Sequence, residues 1–251
     1  MALADDAIAR IRSLIIEGRL APGDRLPHEH RLAEELGISR NSTREAVRAL
    51  EQARVLEVRQ GSGTYVTSLD PALLLQGVAL AVDLMRDDTL LEVLEVRQML
   101  EPVATARAVA VMDDDKLLAI RRALDSVGPD SSVDELVAAD IRFHAAVAAA
   151  TGNSTLRSIL DGLGSRTVHL RIWHGVVSAD ATARTIAAHE SIYEALAQRD
   201  PALAHASALV HLRDAASWLR TSLGDERDEP EAPASGRKQG RPPVSTVATT
   251  A

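Results

Sequence analysis

The segment from Pro22 to Val66 constrains the fold of this chain more than any other stretch of it. Gly37 ends a short helix, which is predicted by three apolar residues at helical spacing, Leu32, Ala33 and Leu36. A longer helix is expected from about Arg40, and two brief strands joined at Gly61-Ser62-Gly63 follow it. The predicted order is therefore helix, turn, helix and hairpin.

The longer helix can bury one face and expose another, because apolar residues recur on one stripe at Ala46, Val47 and Leu50. Arg40 and Arg44 lie one turn apart on the same side. Near a helix N-terminus, such a pair can enter a DNA major groove and bind guanine edges or phosphates. The candidate DNA-contacting residues on this helix are Arg40, Asn41, Ser42, Thr43 and Arg44.

The hairpin turn supplies a second candidate contact with DNA. Gly61 and Gly63 permit a tight turn and a close backbone approach to the minor groove. The alternative is a solvated arginine-rich helix beside an unrelated hairpin. Each feature is weak by itself, but all of them in this order favour DNA binding.

The net charge of −8 argues at first against a nucleic-acid partner. However, residues 1–68 carry ten Lys/Arg and ten Asp/Glu, whereas residues 69–223 carry fourteen and twenty-one. A neutral N-terminal part can bind DNA if its arginines share a face, and the weak overall attraction favours dimerisation and salt sensitivity. Aromatic residues are only 2% of the chain, which favours duplex DNA over base stacking on a single strand.

The same segment resembles the winged helix-turn-helix of the GntR family of bacterial transcription regulators. The family pattern is approximately PG-x-x-LPSERELA-x-x-LGVSRTPVREAL, with a GxGT-[FY]-V wing further on. The matching positions are Pro22-Gly23, Leu26-Pro27, Glu29, Leu32-Ala33, Leu36-Gly37, Ser39-Arg40, Arg44-Glu45-Ala46, Leu50 and Gly61-Ser62-Gly63-Thr64-Tyr65-Val66. The resemblance implies a regulator that binds double-stranded operator DNA as a homodimer.

Two departures from the family pattern change what the resemblance implies. His28-Glu29-His30-Arg31 replaces the usual Ser-Glu-Arg-Glu, so the capping serine is absent, which costs roughly 1 kcal/mol. His30 stands where relatives place a DNA-contacting arginine, and Arg31 can supply a phosphate contact instead. Asn41-Ser42-Thr43 replaces Thr-Pro-Val and is expected to alter which base is read.

The rest of the chain predicts a second, wholly helical unit after a polar, proline-stopped linker at Thr67 to Pro71. Seven helices are expected there, over 71–86, 89–111, 115–127, 132–150, 154–175, 180–199 and 201–222. The predicted fold class is mainly α, with a winged helix-turn-helix that includes an opening helix over 4–17. The expected domains are 1–68 for DNA binding, 69–223 for an all-α bundle, and 224–251 for a disordered tail.

Composition narrows the classes of protein that remain. The chain has no cysteine, which excludes structural disulfides and thiolate chemistry. Its N-terminus is acidic where a signal peptide needs basic residues, and no apolar run approaches the length of a membrane span. The sequence therefore predicts a cytoplasmic protein with no membrane partner.

Histidines are the candidate metal ligands of the helical half. Asp140 and His144 are four residues apart and share one face of a helix, while His189 and His211 belong to two separate helices. Three imidazoles and one carboxylate suit a divalent ion, zinc first, with nickel, manganese or iron as alternatives. Spacing alone leaves open whether the helices converge or each histidine is a hydrogen-bonded core residue.

Residues 71–223 resemble the FCD effector domain of the FadR subfamily, in whose metal-binding members an Asp-x-x-x-His helix joins two later histidines. The matching positions are Asp140, Phe143-His144, Gly152-Asn153, His189, Ile192, Ala195, Asp200 and His211. The resemblance implies that Asp140, His144, His189 and His211 hold the metal. The other histidines, His28, His30, His169, His174 and His205, are interpreted as non-ligands.

A metal with an open coordination position attracts a carboxylate, so a small organic acid is the expected effector. Arg97 stands where relatives carry a pocket-facing arginine, although a salt bridge to Glu101 explains it equally well. Asn153 is a second candidate effector-binding residue, and the alternative is that it caps the next helix.

The predicted function is a regulator of transcription, in the commoner family arrangement a repressor, controlled by an organic acid at the metal site. One alternative is a regulator that senses the metal itself. Another is a metal-dependent hydrolase, because Asp and His ligands with an open position also describe catalytic zinc sites. The chain has no HExxH or G-x-S-x-G motif and a hydrolase would leave the DNA-binding segment unexplained, so we predict that it is not an enzyme.

Overall fold

The computed structural model of the protein describes residues 2–85, 89–128, 131–173 and 179–227. Its N-terminal part contains α1 (Ala2–Ile16), α2 (Glu29–Leu36), α3 (Arg40–Gln52), β1 (Leu56–Arg59) and β2 (Gly63–Val66). The two strands are antiparallel, with Leu56 opposite Val66 and Arg59 opposite Gly63. This arrangement confirms the order of helix, turn, helix and hairpin that the sequence predicts.

One apolar core holds the N-terminal part together. Ala7, Ile11 and Leu14 of α1 are buried against Ala46 and Leu50 of α3. The expected stripe of Ile8, Ile11 and Ile15 is close to this face, with Ile11 buried and the other two partly buried against the core. The opening helix therefore covers the helix-turn-helix, and α3 is fixed so that its other side faces solvent.

The turn between α2 and α3 is formed as the sequence indicates. Gly37 ends α2 in the left-handed region, with φ 66° and ψ 36°, a backbone conformation that glycine adopts without steric cost. Ser39 then caps α3, because its side chain accepts a hydrogen bond from the backbone N–H of Ser42. His28 is the N-cap of α2 and makes no side-chain cap hydrogen bond, as expected from the missing serine.

The C-terminal part is entirely helical in the residues that the structure describes. It contains α4 (Pro71–Leu74), α5 (Gln76–Leu84), α6 (Leu90–Val109), α7 (Asp114–Leu124), α8 (Val133–Ala150), α9 (Ser154–Trp173), α10 (Ala179–Ala197) and α11 (Pro201–Arg227). The predicted mainly α fold class, a winged helix-turn-helix followed by a helical bundle, is confirmed. No helix in the described ranges is long and apolar enough to cross a membrane.

Two helix boundaries differ from those that the sequence predicts. The single helix expected over 71–86 is two helices, because Leu75 has φ −95° and ψ 7° and interrupts the backbone hydrogen-bond pattern. Both pieces pack against α9, and Gly162 lets α9 approach Val78 closely, so tertiary packing outweighs local helix propensity here. At the other end, α11 continues to Arg227, beyond the predicted start of the tail at Gly224, and residues 228–251 lie outside the described residues.

The main core of the helical part lies where α7, α8, α10 and α11 meet. Phe143 and Val147 of α8 are buried there with Ile192 and Leu196 of α10 and with apolar residues of α7 and α11. Ser132 begins α8 with a capping box, in which its side chain and that of Glu135 each bond the other's backbone N–H. This packing brings polar residues of α8, α10 and α11 next to one another inside the bundle.

Candidate metal centre and DNA-contacting surface

The predicted ligand residues converge in the helical part. Asp140 and His144 lie one turn apart on α8, His189 lies on α10, and His211 lies on α11. Each of the four offers one ligand atom, and these atoms all lie within 4.8 Å of one another. Asp140, His189 and His211 are buried, so the cluster is enclosed by the bundle.

Some distances within the cluster equal those between the ligands of a small metal ion, and others are longer. His144 Nε2 lies 3.3 Å from His211 Nε2 and 3.8 Å from Asp140 Oδ2, and His189 Nε2 lies 3.4 Å from Asp140 Oδ1. Ligands about 2.0–2.1 Å from a tetrahedral zinc ion are separated by about 3.3–3.4 Å from one another. The donor set, three imidazoles and a carboxylate, is also one that zinc and its neighbours prefer.

The buried ion pair of Arg97 and Glu101 contacts His144, one of the candidate ligands. Glu101 Oε2 lies 3.0 Å from His144 Nδ1, and Arg97 Nε donates a hydrogen bond of 2.5 Å to Glu101 Oε1. Burial by itself raises the pKa of Glu101, but Arg97 and His144 outweigh it and hold that pKa well below its usual range. An ionised carboxylate only accepts, so Nδ1 of His144 carries the proton and its Nε2 lone pair faces the cluster.

Of the two interpretations left open for Arg97, the structure shows the salt bridge to Glu101, one turn further along α6. The contact of Glu101 with His144 was missed by the sequence reasoning. Its only signal was the i, i+4 spacing of an arginine and a glutamate within an apolar helix, which indicates a buried pair but not what lies beyond it. The guanidinium is therefore engaged with a residue that itself contacts a candidate ligand.

A cavity of about 500 Å³ adjoins the cluster. Three of the four cluster residues, Asp140, His189 and His211, form part of its lining. Phe143 also lines it and stacks on His189, with ring centroids 4.2 Å apart and an interplanar angle of 19°. A molecule in this cavity would therefore reach the candidate ligands directly.

The two predicted effector-binding residues, Arg97 and Asn153, are not among the residues that the structure describes as lining this cavity. Asn153 instead precedes α9, and its Oδ1 accepts a hydrogen bond of 3.1 Å from the backbone N–H of Leu156. This is the capping alternative that the sequence left open.

Of the histidines interpreted as non-ligands, the three that the structure describes, His28, His30 and His205, are not members of the cluster. His28 and His30 are in the N-terminal part, where their rings stack with centroids 6.4 Å apart. His205 lies on α11, six residues before His211. The side chain of His169 and the whole of His174 lie outside the described residues.

The N-terminal end of α3 presents a polar surface. Arg40, Asn41 and Arg44 are exposed, and Arg44 Nε pairs with Glu29 Oε2 of α2 at 3.1 Å. His30 and Arg31 of α2 are exposed as well, with Arg31 paired to Glu35 at 2.9 Å. The exposed cations of α2 and α3 are therefore on the solvent side of the helix-turn-helix.

Two of the predicted base-contacting residues face the other way. The side chain of Thr43 is fully buried, and its Oγ1 donates a hydrogen bond to the carbonyl of Ser39. Ser42 is 8% exposed, and its hydroxyl bonds that of Ser39 at 2.8 Å. The prediction that Ser42 and Thr43 read bases is therefore wrong, because in the first turn of α3 these two positions close the cap and the core.

The hairpin turn depends on its glycines, as predicted. Gly61 has φ 71° and Gly63 has φ 121°, both in the region that side chains disfavour. A Cβ at Gly63 would also lie 2.7 Å from Nε of Arg25. Arg25, which the sequence reasoning did not single out, is thus a further exposed cation beside the turn.

The fold is that of a regulator with a winged helix-turn-helix head and a helical C-terminal domain. Residues 3–66 match the family model of the bacterial regulatory proteins of the gntR family, and residues 92–214 match that of the FCD domain. The chain therefore belongs to the GntR family of transcription regulators, in its FCD-containing group, as the sequence resemblance implies.

Individual relatives agree with this assignment. The transcriptional regulator LutR of Bacillus subtilis (strain 168) is 32% identical over 205 residues, which are 79% of this chain and 93% of that one. The Exu regulon transcriptional regulator of Escherichia coli (strain K12) is 30% identical over 224 residues, 87% and 84% of the two chains. Another protein of that strain, described as a candidate L-lactate dehydrogenase operon regulator, is 33% identical over 232 residues, 88% and 86% of the two chains.

Among solved structures, a GntR protein of Streptococcus agalactiae is 27% identical, with a TM-score of 0.57 over 86% of this chain and 100% of that one. These similar proteins are transcription regulators and not enzymes. The alternative of a metal-dependent hydrolase is thereby set aside, in agreement with the prediction that the chain is not an enzyme.

Proposed function

We propose that the protein is a repressor whose affinity for operator DNA is controlled by an organic acid bound at a divalent metal in the helical domain. The cluster of Asp140, His144, His189 and His211 is the observation that carries this proposal, because its separations and donor types suit such an ion. Zinc is the first candidate, and nickel, manganese and iron are alternatives. When bound, the metal supplies positive charge and a coordination position for a carboxylate oxygen.

The cavity beside the cluster favours an acid effector over the metal as the signal. A regulator that senses only the ion needs no large space next to its ligands, whereas here about 500 Å³ adjoins three of them. A cavity of that volume is in the range of small-molecule sites. The acid is therefore proposed to bind here, with its carboxylate towards the cluster.

The residues at this site have different proposed roles. Glu101, held by Arg97, keeps the ring of His144 oriented with Nε2 towards the cluster. The ligands come from α8, α10 and α11, so binding draws three helices of the domain to one point. A ligand shifts DNA binding only by its different affinity for the two forms of the protein, and we propose that the acid favours the form with low operator affinity.

A face of α6 supports the proposal of a homodimer. Val96, Met99 and Val103 follow one another at helical spacing and are 40%, 69% and 58% exposed. Apolar residues grouped in this way on a surface mark contact sites more often than isolated ones do. A second copy of the chain is the proposed occupant, so that two heads meet two halves of an operator.

On the head, Arg40, Asn41 and Arg44 are the proposed base- and phosphate-contacting residues, with His30 and Arg31 beside them and the turn at Gly61 and Gly63 approaching the minor groove. Their exposure on one side of the head supports this. Arg40 and Arg44 can each form paired hydrogen bonds with guanine.

The test is a measurement of fluorescence anisotropy with an operator duplex selected from a random pool. Zinc-loaded protein is expected to bind it, and the effector acid is expected to lower that affinity by tenfold or more, within the usual range of such coupling. His189→Ala should keep DNA affinity and lose the response to the acid. If that variant responds like the unaltered protein, the proposed site is wrong.

A second variant tests the proposed DNA contact separately from the proposed metal and effector site. Replacing both Arg40 and Arg44 by Ala should lower operator affinity by about thirtyfold or more, since each paired guanine contact is worth about 1–3 kcal/mol. The same variant should retain its zinc and its thermal response to the acid. Unchanged operator affinity in this variant would contradict the proposed role of α3.

A further inference from the structure

The cavity next to the ligand cluster has a shape and a lining that restrict which acid it accepts. On α10 the lining residues run from Thr182 to His189, and on α11 they run from His211 to Thr221. The cavity thus extends from the ligands towards the start of α10 and the end of α11. Seven residues of helix, from His189 back to Thr182, correspond to a depth of about 10 Å.

This space is larger than a small hydroxy acid needs. The cavity volume of about 500 Å³ lies within the range of about 300–1,000 Å³ that is typical of sites for larger small molecules. An acid of three carbons would leave most of the space unfilled. Its wall would then lose the contacts that a ligand of matching size provides.

The chemistry of the lining is uneven. Apart from Asp140, the residues contributed by α7, the turn after it and α8 are all apolar, namely Ala123, Leu124, Val127, Leu136, Val137, Ala139 and Phe143. Hydroxyl groups come from α10 and α11, at Thr182, Thr185, Ser217 and Thr221. A sugar acid has hydroxyl groups on every side, and those facing α7 and α8 would lose water without gaining a partner.

Charge is confined to two places in the part of this lining that the structure describes. One is the candidate ligand cluster, and the other consists of Arg184 and Asp214, which are both exposed to solvent. Trp218, on α11, adds a large apolar surface to this lining. Beyond the candidate ligands, apolar side chains therefore make up most of the lining that the structure describes.

We infer that the effector is a monocarboxylate with a hydrocarbon body of medium length, about six to ten carbons, and not a short hydroxy acid or a sugar acid. This inference rests on the proposed function, because the cluster must hold the metal that receives the carboxylate. It also separates this protein from what the names of its relatives suggest, among which L-lactate is the acid mentioned. The hydrocarbon lies against the lining from α7 and α8.

The test is calorimetric titration of the full-length, zinc-loaded protein with a series of straight-chain acids from acetate to decanoate, and with L-lactate and D-glucuronate. The affinity should rise about fourfold for each added methylene until the cavity is filled, since this is the gain from burying one CH₂ group. Lactate or glucuronate binding as tightly as octanoate would overturn the inference. Affinity that does not change with chain length would overturn it as well.

Failure of the underlying function gives a different result. If the protein does not take up zinc, or if no acid of either kind binds to the zinc-loaded form, the proposed effector site is wrong and the inference falls with it. If short and polar acids bind while the longer ones do not, the metal site stands and only the inference about the effector is overturned.

A variant of the lining tests the position of the hydrocarbon. Leu136→Ser should weaken octanoate binding at least tenfold while leaving the affinity for zinc and acetate unchanged, because Leu136 lines the cavity and is not a candidate ligand. The matched control is Leu118→Ser on α7, whose leucine is exposed and outside the described lining. Equal octanoate affinity in both variants would overturn the proposed location. Retained zinc binding shows that the first variant is folded.

Discussion

Glu101 connects the buried charge of the helical domain to the candidate metal ligands. Its two carboxylate oxygens have different partners, Arg97 on one side and His144 on the other. Arg97 and Glu101 are both almost completely buried, so neither charge has water as an alternative partner. Removing one member of such a pair is much more costly than removing one of an exposed pair, because the remaining charge stays buried.

Glu101→Gln is therefore expected to have two effects. The affinity for zinc should fall by about 10- to 100-fold, because the neutral amide is a weaker acceptor than a carboxylate for the proton on Nδ1 of His144. The effector domain should also lose about 3–5 kcal/mol of stability, because Arg97 is left without its carboxylate. Competition with a chromophoric chelator measures the first effect, and differential scanning calorimetry measures the second.

Glu190→Gln is the matched control for this change. Glu190 forms two hydrogen bonds with Arg121, and this pair joins α10 to α7 at the edge of the bundle, where both side chains are partly exposed. Solvent screens it, so the same substitution should cost at most about 1 kcal/mol and leave the affinity for zinc unchanged. Unchanged zinc affinity in Glu101→Gln would contradict the orienting role assigned to Glu101.

The site shows what could be predicted residue by residue from the sequence. Asp140 and His144 could be assigned to one face because their spacing is one helical turn, which is a local property. The convergence of His189 and His211 with them depends on how three helices pack, so spacing left it open. Ser42 and Thr43 were assigned to the wrong side of α3. In the first turn of a helix, a polar side chain can face DNA, but it can equally well bond the capping residue or pack in the core, and the sequence does not distinguish these cases.

At the level of elements, the two helices of the head differ in how they begin. Ser39 accepts a backbone hydrogen bond and stabilises the start of α3, whereas His28 leaves the start of α2 without such a bond. The backbone of His28 has φ −56° and ψ 146°, which is an ordinary conformation for an N-cap residue. The missing hydrogen bond therefore results from the side chain of His28 and not from its backbone conformation.

His28→Ser is expected to stabilise the head by about 0.5–1 kcal/mol, because the new hydroxyl can accept a hydrogen bond from a backbone N–H of the first turn. Ser39→Ala is the opposite change and should destabilise the head by about 1 kcal/mol. Thermal unfolding followed by circular dichroism gives both values. The account of the two caps fails if the midpoint falls in the first variant or stays constant in the second.

Most elements could be predicted because their signals are local. The glycines at Gly37 and Gly61 and the apolar spacing of α3 indicate the head without reference to any other part of the chain. The break at Leu75 could not be found in this way, since Leu73, Leu74 and Leu75 are all good helix formers and the glycine at Gly77 lies two residues further on, inside α5. It results from packing against α9, which is distant in sequence.

For the whole molecule, the exposed face of α6 is the feature that bears on assembly. The helix buries Leu94, Arg97 and Glu101 on one side and exposes Met99 and Val103 on another. One helix therefore carries both the charge pair behind the ligand cluster and the proposed contact with a second chain. The two regions therefore lie within two turns of each other on the same helix.

Replacing Met99 by Glu is expected to weaken the proposed dimer at least tenfold, because dimerisation would bury an unpaired charge. Operator affinity should fall with it, whereas zinc binding should not change. Sedimentation velocity and fluorescence anisotropy measure the two quantities. Leu118→Glu is the control, since Leu118 is 46% exposed on α7, away from the face of α6. Identical sedimentation of the two variants as dimers would contradict the proposed interface.

The inward orientation of Ser42 and Thr43 leaves three side chains at the tip of α3, those of Arg40, Asn41 and Arg44, as the proposed base-contacting residues of this helix. A single head would then recognise only a very short DNA sequence. A genome offers roughly 10⁶ or more non-specific sites that compete for the protein. In the proposed dimer, specificity would come from the reading of two such sequences at a fixed separation. In such a dimer, an effector can prevent operator binding by changing the distance between the two heads. It need not contact any residue that is proposed to contact a base.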